Sequence, residues 1–163
     1  MIRFGRVKIV LAGAAAAAVL SLPGCRFGGP GFKSKPSGGM EGEVETADRY
    51  SRESHTLSSL AILERAVASY VRDHKIPDTL DVLIPDYLAE IPVAELAVED
   101  HEDTSKVMYY PADIIRGGAI DGTKLKDSGK WGYVHNDHQV IIFVDCIHLN
   151  SRGKPWYAER GVF

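Results

Sequence analysis

The strongest folding signal in this 163-residue chain is an amphipathic helical pattern between residues 46 and 75. Apolar side chains recur there at spacings of three and four, which places them on one face of an α-helix. The stripe consists of Leu57, Leu60, Leu63, Ala66, Val67, Tyr70 and Val71. Pro77 then stops the helix, because proline lacks a backbone N–H. The pattern predicts one long helix that buries a single face.

The second half of the chain carries β-type patterns instead. Residues 107–110, 131–135 and 139–144 are rich in β-branched and aromatic side chains. The last two runs flank Asn136-Asp137-His138, which is typical of a hairpin turn. Asp78 predicts the start of a short helix over residues 79–83. A long helix followed by a small antiparallel sheet predicts an α+β fold.

The first 24 residues are organised like a bacterial export signal. Three basic residues come first, and residues 9–20 form an apolar run that is too short for the roughly 20 residues of a membrane span. The segment Leu22-Pro23-Gly24-Cys25 resembles the lipobox of bacterial lipoproteins. The resemblance implies cleavage before Cys25 and a diacylglyceryl group on its thiol. An ordinary signal peptide or signal anchor with an incidental cysteine is the alternative.

The next segment predicts a flexible tether. Residues 26–45 contain six glycines, two prolines and two serines, a composition that disfavours a packed core and gives a reach of about 25 Å as a coil. We therefore divide the chain into a signal peptide (1–24), a lipidated cysteine with its tether (25–45) and a folded domain (46–163). The formal net charge of −3 argues against nucleic acid as a partner.

Residues 57–145 resemble type IV pilin-like proteins, especially the major pseudopilins of type II secretion systems. The shared features are a tyrosine near the helix end (Tyr70), the proline and leucine spacing over residues 77–92, and Trp131-Gly132-Tyr133 before the hairpin. The resemblance implies a pilin-head-like scaffold and a secretion or pilus-like context. Proline and glycine in residues 26–45 are incompatible with the filament-forming helix of that family, so we expect the lipid anchor to stand in its place.

Three histidines and one thiol raise the question of metal or thiol chemistry. Alternation along a strand places Cys146 and His148 on one face, whereas His135 and His138 straddle the turn. These residues can be read as zinc or copper ligands, or Cys146 and His148 as nucleophile and base. Asp145 beside the thiol disfavours the thiolate, and we see no oxyanion signature. We therefore predict no metal, no cofactor and no enzyme, with Cys146 a buried apolar residue.

Two further groups admit a functional and a structural interpretation. The acidic residues Glu99, Asp100, Glu102 and Asp103 can be read as calcium ligands, but without EF-hand spacing we predict a solvated loop. Trp156 and Tyr157 lie near the C-terminus, where they either contact a partner or pack over the core. Of the two interpretations, we take them as candidate partner-binding residues.

These features together predict an envelope lipoprotein. It would be anchored to the inner or outer membrane through acylated Cys25 and would face the periplasm or the cell surface. Its folded domain would act as a binding or scaffold component with envelope protein partners, in a type II secretion or pilus-like assembly. The alternative is a metal-binding or thiol-dependent envelope enzyme that uses Cys146 and His148.

Overall fold

The computed structural model describes residues 40–160, with side-chain detail from residue 42, and these residues belong to one compact unit. The predicted signal peptide and Cys25 lie outside the described residues. No helix within the described part of the chain is long and apolar enough to span a membrane. The fold is α+β, with one α-helix and a small mixed sheet.

The helix, α1, spans Met40–Val71. It begins six residues before the predicted boundary, inside the segment that we assigned to the tether. Glutamates at positions 41, 43 and 45 favour a helix N-terminus through the helix dipole. Val71 ends the helix four residues before the predicted end, and the next turn closes when the His74 N–H donates to the Tyr70 carbonyl at 3.0 Å. Residues 40–45 are therefore helical.

The main sheet has three strands: β1 (Val107–Tyr110), β4 (Trp131–His135) and β5 (Val140–Val144), in the order β1–β4–β5. β4 and β5 form the predicted antiparallel hairpin, with Trp131 opposite Val144. β1 instead runs parallel to β4, so the prediction of a purely antiparallel sheet is wrong. The long connection between β1 and β4 explains the difference, because parallel neighbours need a crossover of a dozen or more residues.

That connection carries a small antiparallel pair of its own, β2 (Ile115–Arg116) with β3 (Ala119–Ile120). The segment predicted as a short helix after Asp78 forms a single 3₁₀ turn at Leu80–Leu83. Leu80 and Leu83 on this turn are fully buried. The turn thus adds core contacts although it is too short for an α-helix.

The apolar core lies on both faces of the sheet. One face packs against α1, and its buried members include Leu60, Leu63, Val67, Trp131, Tyr133, Ile142, Val144, Cys146 and Trp156. The other face is covered by residues of the β1–β4 connection, in a cluster of Ile114, Ile120, Val134, Ile141 and Phe143. The predicted apolar face of α1 and the two-sided burial of β5 are therefore confirmed.

Candidate metal centre

The chain leaves β5 through a tight turn, in which the Cys146 N–H donates to the Val144 carbonyl at 2.8 Å. The C-terminal segment holds the backbone that follows, because the Tyr157 N–H donates to the Cys146 carbonyl and the Trp156 N–H donates to the His148 carbonyl, each at 3.1 Å. Cys146 Sγ lies 3.5 Å from His148 Nδ1. The two side chains therefore lie side by side, as predicted, although both follow the end of β5 at Val144.

A third side chain, His101, reaches the same place from the loop between α1 and β1. An isolated bridge between Ala94 and Thr104 closes this loop. The ring of His101 lies so close to the backbone of Gly129 that a Cβ at that glycine would come within 2.8 Å of the histidine. Gly129 has a positive φ of 70°, so glycine is required there both for space and for conformation.

The fourth side chain, Asp127, comes from the turn before β4. Its Oδ1 atom lies 3.2 Å from His101 Nε2 and 3.6 Å from His148 Nδ1. The same oxygen accepts a hydrogen bond of 2.9 Å from the Ile147 N–H. Asp127 adopts a φ of 53°, an uncommon conformation for a residue with a side chain, and here it belongs to the turn that presents the carboxylate to both imidazoles.

One donor atom from each of these four residues lies within 4.8 Å of the other three. A tetrahedral zinc site has bonds of about 2.0–2.3 Å, so its ligand atoms are separated by about 3.3–3.6 Å. The three short separations given above, 3.2, 3.5 and 3.6 Å, are close to these edges. We call His101, Asp127, Cys146 and His148 the four-residue centre.

The His148 ring has two further neighbours around the four-residue centre. His148 Nε2, on the far side of the ring from Cys146, lies 3.9 Å from an Asp100 carboxylate oxygen. The rings of His101 and His148 meet edge to face with centroids 5.2 Å apart. A carboxylate behind a histidine is the arrangement that fixes the ring of a metal ligand in many proteins.

Burial and hydrogen bonding together determine which of Cys146 and Asp127 carries a proton. Burial raises the pKa of the Cys146 thiol to about 12, and the nearby Asp127 and Asp145 carboxylates add to the rise. Burial also acts to raise the pKa of Asp127, but the Ile147 N–H and the His101 ring outweigh it, and the pKa of this carboxyl falls below its usual range. The centre without an ion therefore pairs a neutral thiol with an ionised carboxylate.

The other candidate residues lie elsewhere. His135 Nε2 is 3.8 Å from Asp78, and His138 lines a groove beside α1, so neither joins Cys146. The acidic residues also disperse, since Asp103 pairs with Arg52 at 2.6 Å. The predicted calcium alternative thus has no set of converging oxygens among these residues.

Trp156 is completely buried in the core on the α1 face of the sheet. A buried indole has no surface to offer a partner, so the structure supports the alternative, a core position, and corrects its assignment as a contact residue. Tyr157 is half-buried, and its ring lies over Gly122. A partner contact stays a prediction for Tyr157 alone.

Sequence reasoning missed His101 and Asp127. His101 stands inside the acidic run, and Asp127 stands 19 residues before Cys146 in a polar turn. No spacing rule for metal motifs connects them, because the fold brings them together from separate segments. The available signal was a histidine among the acidic residues and a Lys-Asp-Ser-Gly turn ahead of a strand.

No protein-family model matches the chain, and neither a curated protein nor a solved structure is detectably similar to it.

Proposed function

We propose that this chain is a lipid-anchored envelope protein whose folded domain binds one transition-metal ion at the four-residue centre. The observation that carries the proposal is the convergence of two imidazoles, a carboxylate and a thiol from three separate segments of the fold. Cys146 is buried and the other three side chains are partly buried, so one ion could use a donor atom from each of them. The proposal replaces the prediction, made from sequence, of no metal.

The donor set favours zinc. Imidazole and thiolate ligands suit borderline and soft ions, whereas calcium and magnesium take oxygen ligands. Two nitrogens, one oxygen and one sulfur match the four-coordinate geometry of zinc. Binding through Sγ requires the thiol proton to leave to solvent, and the ion supplies the free energy for that step.

The thiol-dependent enzyme receives less support. A catalytic cysteine needs an accessible thiolate, whereas Cys146 is fully buried and its pKa is raised. Three cavities in the described part of the chain, lined by His138, Tyr109 and Tyr50 respectively, have no member of the four-residue centre in their walls. A binding role for the ion agrees with the prediction that the chain is not an enzyme.

The lipid anchor rests on the sequence of the first 25 residues. The lipobox-like Leu22 to Cys25 supports export and acylation of Cys25, and two or three acyl chains would hold the protein durably at a membrane. A scaffold role beside a type II secretion or pilus-like assembly stays a prediction from the pilin-like resemblance. The proposal includes a pilin-head-like fold for the domain. Its support is the order of the elements, a helix followed by a small sheet.

Metal content tests the central proposal. The purified full chain, in detergent, should retain one equivalent of Zn²⁺ after desalting, measured by elemental analysis. Replacement by Co²⁺ should give a sulfur-to-cobalt charge-transfer band and the visible absorption of a tetrahedral site. Cys146→Ser should lose the charge-transfer band. A wild-type protein that retains less than a tenth of an equivalent would refute the site.

His138→Ala is the matched control, because it removes an imidazole of the same hairpin that lies outside the centre. It should bind Zn²⁺ like the wild type. Equal loss of binding in His138→Ala and His148→Ala would show that the ion sits on exposed histidines rather than at the four-residue centre.

A further inference from the structure

The N-terminal part of α1 has little apolar contact to hold it in place. Residues 43–51 are all exposed, and the first fully buried apolar side chain of the helix is Leu60. We call residues 43–56 the outer segment of α1. Helices without tertiary packing are marginal in water, so the outer segment depends on its polar contacts.

Two loops supply those contacts. The first loop, residues 95–104, bonds Thr56 twice through the backbone of Glu95, at 2.7 and 2.6 Å, and its Asp103 pairs with Arg52 at 2.6 Å. The second loop, residues 147–155, offers the Ser151 N–H, which donates to both carboxylate oxygens of Glu53 at 3.0 and 3.1 Å. Glu53 is buried although it carries a carboxyl group. The outer segment is therefore docked by one loop on each side.

The two loops meet at the four-residue centre. The first loop contributes His101, the second contributes His148, and Cys146 and Asp127 lie beside them. The side-chain contacts that we describe between the loops are those of the His148 ring with His101 and with Asp100, the latter at 3.9 Å. An ion coordinated by both imidazoles would replace these weak contacts by two coordinate bonds.

We propose that the ion acts as a clamp that holds both loops together and thereby keeps the outer segment of α1 docked on the domain. This inference rests on the proposed metal site. Filling the centre restrains His101 and His148, and through them the backbones that carry Glu95, Asp103 and Ser151. Metal occupancy then controls the order of the helical segment that leads to the tether, while the inner part of α1, residues 57–71, stays packed by its apolar stripe.

Hydrogen exchange of the full chain, with Zn²⁺ and with a chelator, tests the clamp. Zn²⁺ should slow the exchange of backbone amides in residues 43–56 by about tenfold or more, as expected when a ligand binds only the closed form. Amides in residues 60–71 should change far less, which provides an internal control on the same helix.

A variant outside the metal ligands separates the two proposals. Glu53→Ala combined with Thr56→Val removes the side chains through which the outer segment binds the two loops. This double variant should still bind one Zn²⁺, but the ion should no longer slow exchange in residues 43–56. Asp113→Asn removes an ion pair with Lys124 elsewhere and should leave the Zn²⁺ effect intact.

The outcomes are distinct. One equivalent of bound Zn²⁺ with unchanged exchange in residues 43–56 overturns the clamp and leaves the metal site standing. Absence of Zn²⁺ binding by the wild type overturns the metal site and the clamp with it. Equal protection in the double variant and the wild type would show that the ion acts by another route, and this also overturns the clamp.

Discussion

The two ends of the β4–β5 hairpin carry the same kinds of side chain but build different surroundings for them. At the turn end, His135 and His138 stand apart, one near Asp78 and the other over the groove beside α1. At the exit end, Cys146 and His148 meet His101 and Asp127. The difference is the number of chain segments that pack there. Histidine density along a strand does not make a site unless other segments supply the remaining ligands.

The largest expected effect concerns the exit end and its support. Trp156→Ala removes a fully buried indole from the segment whose N–H groups bind the Cys146 and His148 carbonyls. We expect a loss of about 3–5 kcal/mol in the free energy of unfolding, measured by urea denaturation, together with weaker Zn²⁺ binding. His138→Ala at the turn end should stay within about 0.5 kcal/mol of the wild type. If both variants lost similarly little stability, the two ends of the hairpin would not differ in their contribution to folding.

The second prediction concerns pH, and it uses metal-free protein in chelator. The pKa of the Cys146 thiol is raised from 9.0 to about 12, so the folded state keeps a proton that the unfolded state releases between these values. The thiol's contribution to stability is fully present below about pH 9 and is lost as pH rises towards 12. The slope should be about 1.4 kcal/mol per pH unit.

Cys146→Ala isolates this contribution, because buried tyrosines also titrate in the alkaline range. The pKa values of Tyr110 and Tyr133 are raised by burial, and both variants share them. The wild type should therefore lose stability more steeply than Cys146→Ala by the equivalent of one proton, as measured in urea titrations at several pH values. Parallel curves would mean that the thiol ionises in the folded protein near its ordinary pKa.

The smallest expected effect comes from the carboxylate behind His148. Asp100→Asn removes the charge that faces His148 Nε2 at 3.9 Å but no ligand. Loss of a hydrogen-bonded partner lowers metal affinity by about 10-fold to 100-fold. Since 3.9 Å is beyond hydrogen-bond distance, we expect a loss of less than about tenfold. Competition with a chromogenic chelator would measure the change. Asp137→Asn at the turn end is the control and should leave the affinity unchanged.

The sequence predicts what short-range patterns determine. The apolar stripe of α1, the strand at residues 107–110 and the β4–β5 hairpin follow from periodicity and turn residues. Strand alternation also predicted that Cys146 and His148 would lie together, and they do, although both follow the end of β5. The parallel pairing of β1 with β4 could not be predicted from such patterns, because it depends on the path of the 20-residue connection between the two strands.

The sequence failed to predict the other two residues of the candidate site for the same reason. His101 and Asp127 are 26 residues apart and 3.2 Å from each other in space. Their approach depends on the closure of the loop before β1 and on Gly129, which leaves room for the ring. Contacts between residues so far apart in the chain produce no periodic pattern in a single sequence.

Thr56 gives the helix an unusual relation to the rest of the fold. Its hydroxyl donates to the Glu95 carbonyl and accepts from the Glu95 N–H. One side chain therefore pairs both backbone groups of Glu95, as a neighbouring β-strand would. This exchange needs an oxygen that both donates and accepts. Serine is therefore the only ordinary replacement at position 56, and valine, although it has the same shape, would leave two peptide groups of Glu95 without partners. In a collection of diverged relatives, position 56 should alternate between these two alcohols while the exposed positions around it vary freely.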